Sequence, residues 1–220
     1  MTDIKKQLIF MGPPASGKGT QTKMLAEKTG FVHIDTGSLL RAAIKNETEF
    51  GKIAKGYIEK GQLAPASLVA SIIKERLMAD DCKNGYILDG YPRSLEQALM
   101  LDEILKEINQ DVETEFKAIC FDIPDNMLLE RIVNRRSCPK CGRIYNIKFL
   151  PPKHEGICDD DGKILVQRKD DTEEVAKTRF KTYYNQTAPL IDFYTKRGVL
   201  FHLDATGSTK EIFEKLLELL

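Results

Sequence analysis

The stretch Gly12-Pro13-Pro14-Ala15-Ser16-Gly17-Lys18-Gly19-Thr20 follows an apolar run at residues 8–11 and opens a helical pattern. Glycines near its two ends allow a tight turn that points backbone N–H groups at an anion, and the following helix adds the positive end of its dipole. Lys18 adds a full charge for the β- and γ-phosphates of a nucleotide. A ligand-free Gly/Pro turn is the alternative, and the strand-loop-helix context argues against it. We therefore predict a phosphate-binding loop.

One residue of the loop departs from the general pattern. Most such loops carry Ser or Thr directly after the lysine, where the hydroxyl binds Mg²⁺, whereas this chain has Gly19 there and Thr20 one position later. A metal ion must therefore be held differently. Asp89, at the end of the apolar run 86–88, stands where phosphate-loop folds face the nucleotide's Mg²⁺. We expect it to hold metal-bound waters, a helix or turn cap being the alternative.

Composition limits the classes of function. Lys plus Arg and Asp plus Glu both number 33, so the chain has no overall field for nucleic acid or an anionic membrane, and local patches must bind any anion. Its 220 residues fit one domain with insertions. No apolar run approaches the length of a membrane span, and the first residues do not resemble a signal peptide. We expect a cytoplasmic protein.

Apolar runs of strand length alternate with helical patterns. The runs lie at residues 8–11, 31–34, 86–88, 118–121 and 199–203. Helices are predicted at 20–29, 67–78, 94–108, 125–135, 172–194 and 209–220, with Asp125 and Thr209 as N-caps. Such alternation is typical of a parallel sheet with helices on both faces. The predicted fold is α/β, a five-stranded parallel sheet like that of P-loop NTPases. Two segments, roughly 37–79 and 137–167, interrupt the pattern.

Five motifs in one order resemble those of the adenylate kinase family. They are GPPASGKGT at 12–20, DTGSLLRAAI at 35–44, LDGYPR at 88–93, RIVNRR at 131–136 and RKDD at 168–171. The resemblance runs along the whole chain, and the long second insertion is similar to the long-lid bacterial type. It implies a core of residues 1–36, 68–136 and 168–220, an AMP-binding insertion at 37–67 and a lid at 137–167. The implied reaction is MgATP + AMP ⇌ 2 ADP, with lid closure excluding water.

The resemblance also implies roles for particular residues. Catalysis is expected of Lys18, Asp89, Arg93, Arg131, Arg135, Arg168 and Arg179. ATP binding is expected of Gly12, Pro13, Ala15, Ser16, Gly17, Lys18, Gly19, Thr20, Arg131, Arg135 and His202. AMP binding is expected of Thr36, Arg41, Gln62, Leu63, Ala64, Gly90, Tyr91, Pro92, Arg93, Gln97, Arg168 and Arg179. Arginine suits such sites because its planar, permanently charged guanidinium binds phosphate oxygens in pairs.

Three of the five cysteines lie in the second insertion. Cys138 and Cys141 form one C-x2-C unit, and Cys158 follows after sixteen residues. This spacing is typical of a closed, structural Zn²⁺ site. The resemblance gives Asp161 as the fourth ligand, and Asp159, Asp160 and His154 remain substitutes. Free thiols or a redox pair are the alternatives.

Other functions stay open at this point. A related kinase acting on UMP, CMP or GMP, or one using GTP as donor, is the nearest alternative. Thr36 and Gln97 favour AMP, and the long insertion argues against the short-lid pyrimidine enzymes. A nucleic-acid-binding ATPase with a zinc ribbon is disfavoured by the zero net charge and by few aromatic residues near basic positions. We expect a monomer that binds ATP and AMP or ADP, with Mg²⁺ and Zn²⁺ as cofactors and no nucleic-acid or membrane partner.

Overall fold

The computed structural model describes residues 5–109 and 113–220. The expectation of no signal segment at the chain start concerns residues that lie partly outside this range. Seven strands are assigned in the described chain: β1 Lys5–Met11, β2 Val32–Asp35, β3 Gly85–Asp89, β4 Thr114–Asp122, β5 Arg135–Ser137, β6 Ile144–Asn146 and β7 Leu200–Asp204. Five of them form a sheet in the order β2-β3-β1-β4-β7, and every pairing in it is parallel. The predicted α/β fold class is confirmed.

Helices cover both faces of this sheet. They are α1 Lys18–Thr29, α2 Thr36–Lys45, α3 Glu49–Ile58, α4 Ala66–Leu77, α5 Leu95–Ile108, α6 Asp125–Val133, α7 Glu173–Thr182, α8 Pro189–Lys196 and α9 Thr209–Glu218. Alternation along β1 divides the core, since Leu8 and Phe10 face one apolar cluster while Ile9 and Met11 face the other. Helices α1 and α9 close the first cluster, and α4, α5 and α8 close the second. Burial on both faces explains why the central strands β1, β3 and β4 contain nearly continuous apolar runs.

Apart from shifts of one or two residues at other helix ends, three helices differ from the predictions in their caps or in their continuity. The helix predicted at 125–135 ends at Val133, because Arg135 already belongs to β5, and Pro124 rather than Asp125 stands at the N-cap. The last helix is capped by Ser208 and not by Thr209, which is its first residue. The helix predicted at 172–194 is interrupted by a π-helical turn at Tyr183–Thr187. A single wide turn leaves the apolar spacing nearly helical, so the pattern did not reveal it.

The two interrupting segments have different structures. Residues 37–67 contain most of α2, all of α3 and the start of α4. Residues 137–167 contain the end of β5 and β6, an antiparallel pair, with further bridges Ser137↔Val166 and Ile157↔Ile164. Its small core consists of Cys138, Tyr145, Cys158 and Leu165. Within the described residues, no helix is both long and apolar enough to cross a membrane.

The cap of α9 gives a test of the fold. Ser208 Oγ accepts from Glu211 N at 3.3 Å while Glu211 Oε2 accepts from Ser208 N at 2.8 Å, a reciprocal capping box. We expect Ser208→Ala to lower the free energy of unfolding by about 1 kcal/mol and the Tm by about 2–4 °C. The matched change Thr209→Ala should have a smaller effect, because its side chain makes no cap. Thermal unfolding of both variants checks this, and a larger loss in Thr209→Ala would contradict the cap assignment.

Candidate active site

A cavity of about 1250 Å³ lies at the carboxyl ends of the parallel strands. Its wall is made by the loop at 12–20, the ends of β2 and β3, residues of α2 and α6, and the face of the 137–167 insertion. Ligands of open α/β sheets bind at this edge. Ten Lys and Arg side chains line the cavity against five Asp and Glu, although the whole chain is neutral. The predicted local anion-binding patch is therefore present in the described chain.

The loop after β1 has the shape that its glycines predict. Gly12 has φ +136°, and a Cβ there would lie 2.9 Å from the Phe121 carbonyl oxygen, so no other residue fits. Gly17 has φ +99° and stands at the N-cap of α1. Lys18 Nζ donates to the carbonyl oxygens of Gly12 and Pro13 at 2.8 and 2.9 Å. The loop folds around its own lysine, whose charge is held at the helix N-terminus.

Burial lowers the pKa of Lys18 to about 8, although the charge of Asp89 opposes the shift and Arg93 adds to it. The side chain is a cation that the cavity desolvates without giving it a direct carboxylate contact among the described residues. A group of this kind gains free energy when a phosphate approaches, because an anion restores the stabilisation that burial removes.

Asp89 ends β3 beside Gly19. A Cβ at position 19 would lie 3.3 Å from Asp89 Oδ2, so a Ser or Thr in the usual place would crowd this carboxylate. His33 Nε2 lies 3.4 Å from the same oxygen. The missing hydroxyl therefore leaves room in front of the carboxylate, and oxygen ligands and waters are what Mg²⁺ prefers. These residues fit a hydrated magnesium ion.

Two arginines share one buried carboxylate. Asp171 is completely buried, and its Oδ2 accepts from Arg135 Nε at 2.8 Å while its Oδ1 accepts from Arg179 at 3.0 Å. Asp170 also pairs with Arg179 at 3.0 Å. Burial tends to lower the pKa of Arg135, but the bond to Asp171 and the nearby carboxylates outweigh it and raise that pKa. Burial and the charge of Arg135 lower the pKa of Arg179 to about 10, so both remain cations.

Arg168 is held without such a partner. Its guanidinium makes no hydrogen bond or ion pair within residues 5–109 and 113–220. Burial, with the charges of Arg135 and Arg41, lowers its pKa to about 10. Partial burial close to other cations makes the charge of Arg168 unfavourable in the free protein, although the charges of Asp171 and Asp35 oppose this effect. Binding of a polyanion would relieve this repulsion.

Arg93 is fixed through its backbone and its side chain. Its Nε donates to the Gly90 carbonyl oxygen at 2.6 Å, and its N–H donates to Gln97 Oε1 at 2.8 Å. Gln97, which was expected to bind AMP, thus already uses part of the acceptor capacity of its amide oxygen. Thr187 Oγ1 donates to the Arg93 carbonyl oxygen at 2.7 Å. Burial lowers the pKa of Arg93.

Thr36 is a buried polar residue with an unused group. Its Oγ1 has no hydrogen-bond partner in the described chain, although it lines the cavity. An orphaned hydroxyl in a cavity wall is the kind of group that a ligand satisfies. Arg41 lies nearby, where its guanidinium donates to Ser38 Oγ at 3.0 Å and to Asp35 at 3.3 Å.

Most predicted nucleotide-binding residues line this cavity, and three do not. Pro13 faces a second cleft. Tyr91 is fully buried and donates its hydroxyl to the Gln97 carbonyl oxygen at 3.1 Å. His202 has an exposed side chain whose Nδ1 lies 2.8 Å from Asp122. The cavity wall beyond β7 is formed instead by residues 206–209.

The cysteine residues of the 137–167 insertion come together with one carboxylate. Ligand atoms of Cys138, Cys141, Cys158 and Asp161 all lie within 4.8 Å of one another. Cys138 Sγ is 3.3 Å from Asp161 Oδ2, and the Cys141 and Cys158 sulfurs are 3.6 Å apart. Two sulfurs about 2.3 Å from a tetrahedral Zn²⁺ are about 3.8 Å apart, so the set fits a metal of this type.

The substitute ligands are occupied elsewhere. Asp159 Oδ1 accepts from Lys153 N at 2.8 Å, and Asp160 pairs with Arg143. His154 is not part of the group of ligand atoms. Among the alternatives, the structure favours Asp161 as the fourth ligand.

Sequence reasoning missed the residues that hold the arginines. Asp170 and Asp171 belong to the RKDD motif but were given no predicted role, although two bases followed directly by two acids at 168–171 are a signal of an ion-pair network. Thr182 and Thr187 carry no sequence signal, because the π turn that directs them was not predicted. Thr182 Oγ1 donates to the Gly61 carbonyl oxygen at 3.1 Å, next to the predicted AMP-binding residues Gln62, Leu63 and Ala64.

A model of the family described as adenylate kinase matches residues 10–199 of the chain. The chain belongs to the adenylate kinase family. An adenylate kinase of Clostridium novyi is 46% identical over 210 residues, which cover 96% of each protein. One of Clostridium tetani is 47% identical over 213 residues and 97% of each, and one of Thermotoga neapolitana is 45% identical over 214 residues, 97% of this chain and 96% of the relative. The predicted family resemblance is confirmed, and adenylate kinases are nucleoside monophosphate kinases that use ATP and AMP.

Proposed function

We propose that this adenylate kinase carries out its reaction, MgATP + AMP ⇌ 2 ADP, inside the cationic cavity, with ATP at the loop 12–20 and AMP at the side of Thr36, Arg41 and Gln97. The observation that carries this assignment is the set of partly buried cations in one cavity of a neutral chain. Lys18, Arg93, Arg131, Arg135, Arg168 and Arg179 all line one cavity. Two nucleotides bring enough phosphate charge to balance them, and a single small anion does not.

The chemistry needs positioning and charge cancellation more than it needs a nucleophilic side chain. In the forward direction an AMP phosphate oxygen attacks the γ-phosphorus, the bond to the β,γ-bridging oxygen breaks, and that oxygen leaves on ADP. Lys18 and the arginines stabilise negative charge on the transferring group in a site that burial keeps poor in water. When Mg²⁺ is bound with ATP it neutralises phosphate charge, and Asp89 would hold its waters.

The acceptor and donor ends are supported by different observations. Thr36 Oγ1 is a buried hydroxyl without a hydrogen-bond partner in the described chain, and Gln62, Leu63 and Ala64 lie in the same wall, which suits a nucleoside. Arg41 and Arg93 would hold the AMP phosphate. At the other end, Arg131 and residues 206–209 border the loop and would enclose the adenosine of ATP.

The domain division follows from these contacts. We assign residues 1–36, 68–136 and 168–220 to a core, 37–67 to an AMP-binding insertion and 137–167 to a lid. Lid residues Arg143, Tyr145 and Phe149 line the cavity, and Lys23 of α1 lies 3.8 Å from Asp160 of the lid. A lid in this position keeps water from taking the phosphoryl group. Cytoplasmic location, a monomeric state and the lack of nucleic-acid and membrane partners stay predictions from composition.

Substrate choice is tested with a coupled assay of AMP, CMP, UMP and GMP, each with ATP or GTP. We expect turnover to be highest with ATP and AMP. The AMP side of the cavity offers Thr36 and the side-chain amide of Gln97, which the Arg93 N–H orients. Preference for another monophosphate would contradict the acceptor assignment. If no monophosphate gives turnover above the background hydrolysis of the triphosphate, the kinase assignment fails.

The same assay tests the catalytic role of Arg93. Arg93→Ala should lower kcat/KM by a hundredfold or more, which corresponds to about 3 kcal/mol of lost transition-state stabilisation. Arg197→Ala is the matched control, since Arg197 is exposed and pairs with Asp102 on the surface. Less than a tenfold loss in Arg93→Ala, or equal losses in both, would show that the role is misassigned.

The pKa of Lys18 predicts proton uptake on binding ATP. The pKa of the free protein is about 8, below the ordinary value of 10.5, so between these two values the lysine is mostly neutral before binding. A bound phosphate favours the charged form of Lys18. At a pH one unit above the pKa of the free protein, ATP binding should therefore be accompanied by uptake of a proton. The affinity for ATP should fall as the pH rises through that pKa. Calorimetry in buffers of different ionisation enthalpy measures the uptake.

Lys18→Arg is the control, because arginine stays charged over this range. It should bind ATP without the proton uptake seen in the original chain. Equal uptake in both proteins would assign the proton to another group, and no uptake in the original chain would contradict the lowered pKa.

The cysteine cluster supports a zinc ion in the lid. Cys138, Cys141, Cys158 and Asp161 supply four ligands with no open position, which is typical of a structural site. The lid core has only four buried apolar residues in the described chain, too few to hold the insertion by itself. We therefore assign Zn²⁺ a role in lid stability rather than in phosphoryl transfer.

Removal of zinc should lower the Tm while activity near room temperature changes modestly. Asp161→Ala should reduce both bound zinc and the Tm, whereas the control His154→Ala should reduce neither. Metal analysis and thermal unfolding measure the two effects. Protein purified without chelators that contains no zinc would contradict the site.

A further inference from the structure

A second group of metal-ligating side chains lies on the outer strands of the sheet, apart from the lid. Cys120 and Asp122 are two residues apart on β4, so they share one face, and His202 of β7 is in register with Cys120. Their ligand atoms lie within 4.8 Å of one another, and His202 Nδ1 is 2.8 Å from Asp122 Oδ2. A thiol, an imidazole and a carboxylate therefore converge at one point.

The group can be reached from solvent. Cys120 and Asp122 line a cleft of about 460 Å³, together with Pro13, Tyr183 and Asp204. Cys120 is only 2% exposed, while the side chains of Asp122 and His202 are about half exposed. The cleft lies behind the phosphate-binding loop, since Pro13 borders it and accepts from Lys18 at 2.9 Å.

We propose that Cys120, Asp122 and His202 bind a divalent ion of the zinc class. Three protein ligands with one position left for water are typical of an open tetrahedral site. Thiolate and imidazole favour Zn²⁺ or Co²⁺ and exclude Mg²⁺, which takes oxygen ligands. This ion is thus different from the magnesium that accompanies ATP.

Binding replaces the Cys120 thiol proton by the metal, and that proton leaves to solvent without any redox step. The hydrogen bond between His202 and Asp122 is exchanged for two metal bonds. Because only one of the ligands is a thiol and two are half exposed, the site is weaker than the three-cysteine cluster of the lid. It therefore fills only after that cluster.

Cobalt binding to the full chain, isolated with its lid metal, tests the proposal. Co²⁺ is titrated, and the near-ultraviolet thiolate-to-cobalt absorption and the number of equivalents bound are compared between the original chain and Cys120→Ser. We expect the original chain to bind one equivalent more. Because the measurement is a difference, it does not depend on how much cobalt the lid itself accepts. Cys82→Ser, another buried cysteine with no histidine beside it, should behave as the original chain does.

If Cys120→Ser does not fold, His202→Ala tests the proposal instead, because His202 is on the surface and its replacement should not prevent folding. It should weaken the extra cobalt site at least about tenfold and reduce its absorption band. Equal stoichiometry and equal absorption in the original chain and in either variant would overturn the proposal.

Discussion

The ion-pair network around Asp171 holds the cavity together. This fully buried carboxylate binds Arg135, where the chain enters the 137–167 insertion, and Arg179 on α7, which follows the insertion. Removing one partner of a buried pair costs about 3–5 kcal/mol because an uncompensated charge stays behind. The same contacts therefore join the two ends of the 137–167 insertion to each other and keep Arg135 and Arg179 charged in the cavity wall.

The other cations of the cavity differ from Arg135 and Arg179 in their partners. Lys18 and Arg168 lack a carboxylate contact in the described chain, and burial lowers the pKa of each. Some cations of the site are thus paired with carboxylates, whereas others would be stabilised by a bound phosphate. A chain without net charge can hold such a site because acids elsewhere on its surface balance it. Local charge, and not overall charge, decides what binds.

Sequence patterns predicted the sheet well because β1, β3 and the second half of β4 are buried on both faces and so appear as continuous apolar runs. They predicted the loop 12–20 because glycine and lysine have few other reasons to occur in that spacing after a strand. The partners of the arginines were not predictable in the same way. Asp171 is one acid among 33, and its importance arises from burial, which only the folded chain shows. Tyr91 shows the converse, since its neighbours line the cavity while its own ring packs inside the core.

The π turn at Tyr183–Thr187 changes the geometry of a whole helix face. In an α-helix, residues five apart differ by about 140° around the axis, so Thr182 and Thr187 would point in different directions. In a π turn the backbone bond spans five residues, as from Ala188 N to the Tyr183 carbonyl oxygen, and residues five apart come close to alignment. Because of this one wide turn, Thr182 can donate to the Gly61 carbonyl oxygen while Thr187 on the same helix donates to the Arg93 carbonyl oxygen. The extra residue works as a spacer that sets the width between two walls of the cavity.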